Sequence, residues 1–178
     1  MRPRWIGLVL LSVAILLTTL YQARKVSATV AVGFSSSTLA LGRLGEINVF
    51  NHFPPDQAGA LDIWRSWQGT KGMSDLYVQT NVWSAGGSTG WHSHPGHSLI
   101  IVTKGMLTAY EGDDPDCTPH VYTVGMGFVD PGGGHVHIIR NETKEEAAGV
   151  AIQIIPADQP RRIEAEDPGN CSFATKTD

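Results

Sequence analysis

Cysteine is scarce in this 178-residue chain: there are two, Cys117 and Cys171, and neither has a partner Cys at chelating spacing. That argues against a thiolate metal site. Charged residues make up 17%, with no run of one sign and no low-complexity stretch, so nothing points to disorder. No amphipathic helix is legible after residue 30, and no internal repeat, which excludes a helical bundle and a solenoid. What is plentiful is punctuation, with 20 Gly and 10 Pro, as suits a turn-rich all-β chain. The length fits one domain with a core of its own.

The first residues are built differently. Arg2 and Arg4 precede an apolar run from Trp5 to Leu20, followed by Arg24 and Lys25. The pattern reads as an export signal over residues 1–28, with small residues for cleavage at Val26-Ser27-Ala28 and nearly as good ones at Thr29-Val30-Ala31. An uncleaved membrane anchor stays open beside it, although spanning a bilayer typically takes about 20 apolar residues. Either way the remainder is expected outside the cytoplasm, extracellular or periplasmic. Cleavage after Ala28 would leave nine basic side chains against seventeen acidic ones, a formal charge of −8. So acidic a protein is a poor partner for nucleic acid, and its only membrane contact would run through the N-terminal segment. In an exported chain Cys117 and Cys171, both in turn-like contexts, most simply form one disulfide.

Residues 29–45 are small, polar and weakly patterned, and read as a flexible lead-in to a domain over 46–178. Ile47–Phe50 and Leu61–Trp67 read as strands flanking a loop with Pro54-Pro55. Clearer strands follow at Leu76–Trp83, Leu99–Thr103, Met106–Glu111, His120–Val124, Gly127–Asp130, His135–Arg140 and Gly149–Ile155, each short and bounded by Gly, Pro, Asn or Asp. Strands so spaced predict a sandwich or barrel.

Two stretches carry chemistry. In GGSTGWHSHPGHSLIIVTKG, Gly86 to Gly105, His92 and His94 are two apart and share a face of an extended chain, so both imidazoles can grip one ion. In GMGFVDPGGGHVHIIRN, Gly125 to Asn141, His135 and His137 again share a face behind a Pro and three Gly. Neutral imidazole suits Zn, Fe, Cu and Ni.

The first stretch resembles cupin motif 1, G(x)5HxH(x)3-4E(x)6G, through Gly86, His92, His94 and Gly105. The second is similar to cupin motif 2, G(x)5PxG(x)2H(x)3N, through Gly125, Pro131, Gly134, His137 and Asn141, with one extra residue between Pro131 and Gly134. With the strand pattern, the likeness covers residues 75–156. It implies a double-stranded β-helix, the jelly-roll barrel of the cupin superfamily, with a metal ion near its mouth on His92, His94 and His137. It also implies that Asn141 is structural and that a homodimer is the expected assembly. The family's glutamate ligand falls on Ser98, so the resemblance implies three histidines completed by water or substrate, a site with open positions. His97 and Ser98 stand as substitutes for the missing ligand, and His135 as a proton-transfer group, an outer-shell group or a rim residue.

Tyr77, Gln79 and Asn81 share one strand face, which lines the pocket or meets solvent. Gln153 points into the cavity or, as an ordinary strand residue, outward. Trp83, Trp91, Tyr110 and Phe128 read as core or pocket wall. Asp113, Asp114 and Asp116 read as a turn, with Ca²⁺ binding as the alternative. No arginine stands among the motif residues to clamp a carboxylate.

Two functions are expected from these residues. One is an enzyme of oxygenase or isomerase type acting on a small organic substrate at one divalent transition metal (Zn, Mn, Fe, Cu or Ni). The other is a non-catalytic barrel that binds a metal or small ligand. An enclosed cavity beside an open coordination position would favour the first.

Overall fold

The computed structural model describes residues 28–53 and 64–173. The expected signal or anchor therefore lies, but for Ala28, outside the described residues, as do Leu61 to Ile63. Among the described residues there are twelve strands and no helix, and so no helix long and apolar enough to cross a membrane.

One half of the main sheet is formed by β1 (Val32–Leu44), β4 (Ser74–Ser88), β11 (Ala147–Pro156), β6 (Ser98–Lys104) and β9 (Gly127–Asp130), paired in that order and all antiparallel. The other half is β8 (His120–Thr123), β7 (Met106–Glu111), β10 (His137–Arg140), β5 (His92–Ser93) and β12 (Ile163–Glu164). The halves join where the end of the long β4 meets β10, Ser88 against Arg140. They also pack face to face, because one buried cluster takes Trp83, Val102 and Ala147 from the first half and Leu107, Ala109 and Ile139 from the second. The result is an all-β, nearly closed barrel of the jelly-roll kind.

Strand alternation decides what points inward. In β11 the buried positions are Ala147, Gly149, Ala151, Gln153 and Ile155, and in β6 they are Ser98, Ile100 and Val102. Their neighbours Ile152, Leu99 and Ile101 face outward and are exposed. Period-2 placement thus puts both apolar and polar side chains inside, which a barrel with a filled core and a polar mouth requires.

The lead-in expected at 29–45 is corrected in part. Residues 32–44 form β1, a 13-residue strand along the edge of β4, with registers from Leu44 opposite Ser74 to Val32 opposite Ser88. Its sequence hides this because the strand is held chiefly by backbone pairing rather than by an apolar face: Phe34 packs on the buried cluster, its ring 5.0 Å from that of Trp83. The far end is clamped electrostatically. Arg43 grips Asp75 with Nε and Nη2 at 2.8 and 2.9 Å and reaches Asp158 at 2.7 Å. The two strands read over 47–67 form a hairpin of their own, β2 (Asn48–Phe53) with β3 (Trp64–Gly69), which leaves Phe50, Phe53, Trp64 and Trp67 exposed.

A second buried cluster joins Trp91, Tyr110, Ile138 and Cys171. Here Cys171 is disulfide-bonded to Cys117 across 54 residues of chain, with Cα atoms 5.2 Å apart. In the chain-entropy model such a closure stabilises by about 4 kcal/mol. It holds the C-terminal tail over Trp91, the residue before His92.

The Arg43 guanidinium and the Asp158 amide hold the Asp75 carboxyl below its ordinary range. A group depressed in this way contributes stability above its unfolded value and loses it as pH falls. Acidification below about pH 4 should therefore speed hydrogen exchange of β1 amides before those of β6 and β11. In Asp75→Asn the β1 amides should exchange fast at neutral pH already. Unchanged β1 protection in that variant would contradict the clamp.

Candidate metal centre

The triad is assembled by sheet pairing. His137 in β10 stands directly opposite His92 in β5, and residues directly opposite in an antiparallel pair project from the same face. His94 follows two residues after His92 on the same side. Ring centroids lie 4.4 Å apart for His92 and His137, 4.8 Å for His92 and His94, and 5.5 Å for His94 and His137. One ligating nitrogen from each lies within 4.8 Å of the others, a group able to hold a metal ion.

Backbone carbonyls set the orientation of each ring. The Nδ1–H of His92 donates to the Gly90 carbonyl at 2.9 Å and that of His137 to the His135 carbonyl at 3.3 Å; the Nδ1–H of His94 donates to the Arg161 carbonyl. A carbonyl can only accept, so each Nδ1 carries the proton and each Nε2 keeps a free lone pair. Burial also disfavours the imidazolium form. His92 and His137 are each 4% exposed, and desolvation pushes the pKa of all three below the ordinary histidine value, assisted at His92 by the neighbouring His137. All three rings are thus neutral at neutral pH, the state a metal ligand needs.

The two motif loops are locked together by glycine. The Gly134 amide donates to the His94 carbonyl at 3.1 Å. Gly132, at φ 67°, packs so closely on the turn after His94 that a Cβ there would lie 2.2 Å from the Gly96 carbonyl carbon. The extra residue between Pro131 and Gly134 is therefore used to bring the second loop onto the first.

Beside the triad lies a cavity of about 90 Å³, room for a molecule of few heavy atoms. Its wall includes Gln79, Asn81, Trp83 and Gln153, so both sequence alternatives resolve inward. Gln153, 2% exposed, points into the cavity, and the face of Gln79 and Asn81 is the pocket face rather than the solvent face. Gln79 Nε2, Asn81 Oδ1, Trp83 Nε1 and Gln153 Oε1 are buried without a hydrogen-bond partner. Native interiors rarely leave such atoms unmatched except where a ligand or water meets them.

Ser98 lines the cavity and is buried, with its hydroxyl 3.4 Å from Asp130 Oδ2. His97 is not part of the cavity wall, and its carbonyl accepts from the Ile154 amide at 3.1 Å. The His135 ring also stays off that wall, 3.4 Å from a Glu111 oxygen and 3.5 Å from an Asp113 oxygen, while its carbonyl orients His137. With His137 and Asp130 it forms a second group within 4.8 Å. Asn141, 1% exposed, donates through Nδ2 to the carbonyls of Trp83, Ser84 and Glu145 and so ties β4 to the turn after β10. Asp114 accepts from the Asp116 and Thr118 amides at 3.0 and 2.7 Å, which makes its loop the expected turn.

Among the cavity residues that sequence reading missed, three carry charge. Arg161 and Arg162 arrive from the tail beyond β11, outside both motifs. Arg161 lies over the Tyr77 ring at 5.2 Å, and Arg162 is paired with Glu164. An arginine does therefore border the pocket. Asp130, the last residue of β9, is the third; nothing in its sequence context separates it from an ordinary turn aspartate before Pro131.

No family model and no curated protein matches the chain. Solved structures that it resembles include oxalate oxidase in complex with glycolate, 25% identical over 49% of this chain, with a TM-score of 0.42. This chain spans only 45% of that one. A cupin superfamily protein from Desulfitobacterium hafniense is 14% identical over 78% of this chain and 87% of its own, with a TM-score of 0.42. A cupin-like protein from Thermotoga maritima is 25% identical over 52% of this chain and 65% of its own, at 0.45.

Gly132→Ala must both adopt a left-handed backbone and push two backbone segments apart, whereas Gly133→Ala, at φ 64° with nothing within 4 Å, meets only the first cost. That first cost is about 1 kcal/mol or somewhat more. Urea unfolding should show Gly132→Ala clearly less stable than Gly133→Ala; equal losses would mean that the loop contact is not tight.

Proposed function

We propose that this chain is an exported protein in which His92, His94 and His137 hold one divalent transition metal ion, and that the ion acts with the adjoining cavity on a small organic molecule bearing an acid group. The observation that carries this reading is the convergence of three neutral Nε2 atoms at the wall of a cavity where four further buried polar atoms are unmatched. A structural metal site would be closed by protein ligands, whereas three imidazoles beside a cavity leave positions for an incoming molecule.

When bound, a divalent ion here would supply Lewis-acid polarisation of a ligand oxygen. The remaining roles belong to the chain. Arg161 at the cavity wall offers a cation to a carboxylate, and its stack over Tyr77 keeps the guanidinium plane oriented. Gln79 and Trp83 offer donors, and Asn81 and Gln153 acceptors, that fix the orientation of a small polar guest. Ile100, Ile139 and Ala151 keep the rest of the wall apolar and limit water. A cavity lined by unmatched polar groups beside the triad favours an enzyme over a purely storing barrel. The disulfide supports an oxidising compartment, which fits export.

Elemental analysis of protein recovered from the medium or periplasm tests this directly. Wild type should carry about one equivalent of a transition metal. His92→Ala and His137→Ala should carry none while keeping the far-UV spectrum of the fold, and His97→Ala should match wild type. Metal content that survives both triad substitutions would remove the proposed centre.

A further inference from the structure

Three neutral imidazoles bring no negative charge to a divalent ion, and Ser98 stands where the resemblance places a glutamate. In the sheet, Ser98 of β6 is directly opposite Asp130 of β9, so the two side chains leave the same face from adjacent strands. Asp130 is 5% exposed and borders the same cavity. A carboxylate this deeply buried is costly unless it is matched.

Its two oxygens are used differently. Oδ1 accepts the Gly132 amide hydrogen at 2.9 Å and lies 3.7 Å from the Nδ1 of His137. Oδ2 meets the Ser98 hydroxyl at 3.4 Å and lies 3.4 Å from His94 Nε2. The His94 proton sits on Nδ1, donated to the Arg161 carbonyl, so Nε2 turns a lone pair toward that oxygen. Two buried electron-rich atoms facing each other repel unless a cation lies between them. Two donors on a tetrahedral ion, with bonds of about 2.1 Å, stand roughly 3.4 Å apart. The separation is that of adjacent ligands on one metal.

We propose that Asp130 is the carboxylate ligand of this centre, supplied from β9 directly across the sheet from the position where motif 1 would carry its glutamate. The inference rests on the reading of His92, His94 and His137 as ligands. The site is then three histidines and one aspartate, in which the acid approaches beside His94, Ser98 leaves room for it and donates a hydrogen bond to it, and a molecule in the cavity would join as a fifth ligand.

Cobalt(II) titration of the full chain, followed by visible absorption and by competition with a chelator, tests the assignment. Asp130→Asn is nearly isosteric and keeps an acceptor for the Gly132 amide, so the loop is retained. It should bind Co(II) at least about tenfold more weakly and with an altered d–d spectrum. Adding Ser98→Glu to Asp130→Asn should recover most of the affinity, because a carboxylate then returns from the facing strand. Wild-type affinity and spectrum in Asp130→Asn, or no recovery in the double variant, would overturn the assignment while His92→Ala still abolishes binding. Wild-type binding in His92→Ala would overturn the triad itself, and the role of Asp130 with it.

Discussion

The site depends on one cross-strand pair. His92 and His137 come from segments 45 residues apart in sequence, and antiparallel pairing sets them directly opposite. Each then donates Nδ1–H to the carbonyl of the residue two before it, Gly90 or His135. The repetition is physical. An extended chain puts that carbonyl beneath the ring, and the donated hydrogen bond leaves Nε2 aimed away from the backbone, into the barrel. Slippage of the pair by one residue would send one imidazole to the opposite face.

Several separate restraints guard that register. The Gly132 contact with the turn after His94 joins the two loops, and Asn141 ties the strand after His137 back to β4 through three carbonyls. The tail adds a third restraint: the Ala165 amide donates to the Trp91 carbonyl, and the disulfide anchors the chain a few residues later. The same tail delivers Arg161, whose carbonyl orients His94 and whose guanidinium borders the cavity. Covalent closure at the surface and ring orientation at the centre are thus linked through one short segment.

Much of this is legible in the sequence where a side chain must recur at a fixed spacing. Most of the strands from β4 to β11 follow from short β-branched runs between turn residues, and the triad from two histidine stretches at motif spacing. What escapes is what tertiary pairing alone creates. β1 has almost no apolar face, because its stability lies in backbone pairing to β4 and in the Arg43 clamp. The two-residue strand β5 is too short to carry a pattern. Gln153 looks like an interruption of an apolar strand, yet alternation turns it into the cavity. Asp130 and Arg161 sit in turn-like or tail contexts whose chemistry appears only when strands from distant parts of the chain are laid side by side.

The central claim is that three Nε2 atoms converge on one ion, and anomalous diffraction at the absorption edge of the bound metal tests it most directly. The account predicts a single anomalous peak inside the barrel, about 2.1 Å from Nε2 of each of His92, His94 and His137. A peak held by Nδ1 atoms, by His97 or by surface carboxylates, or metal-loaded protein with no peak in the barrel, would contradict it.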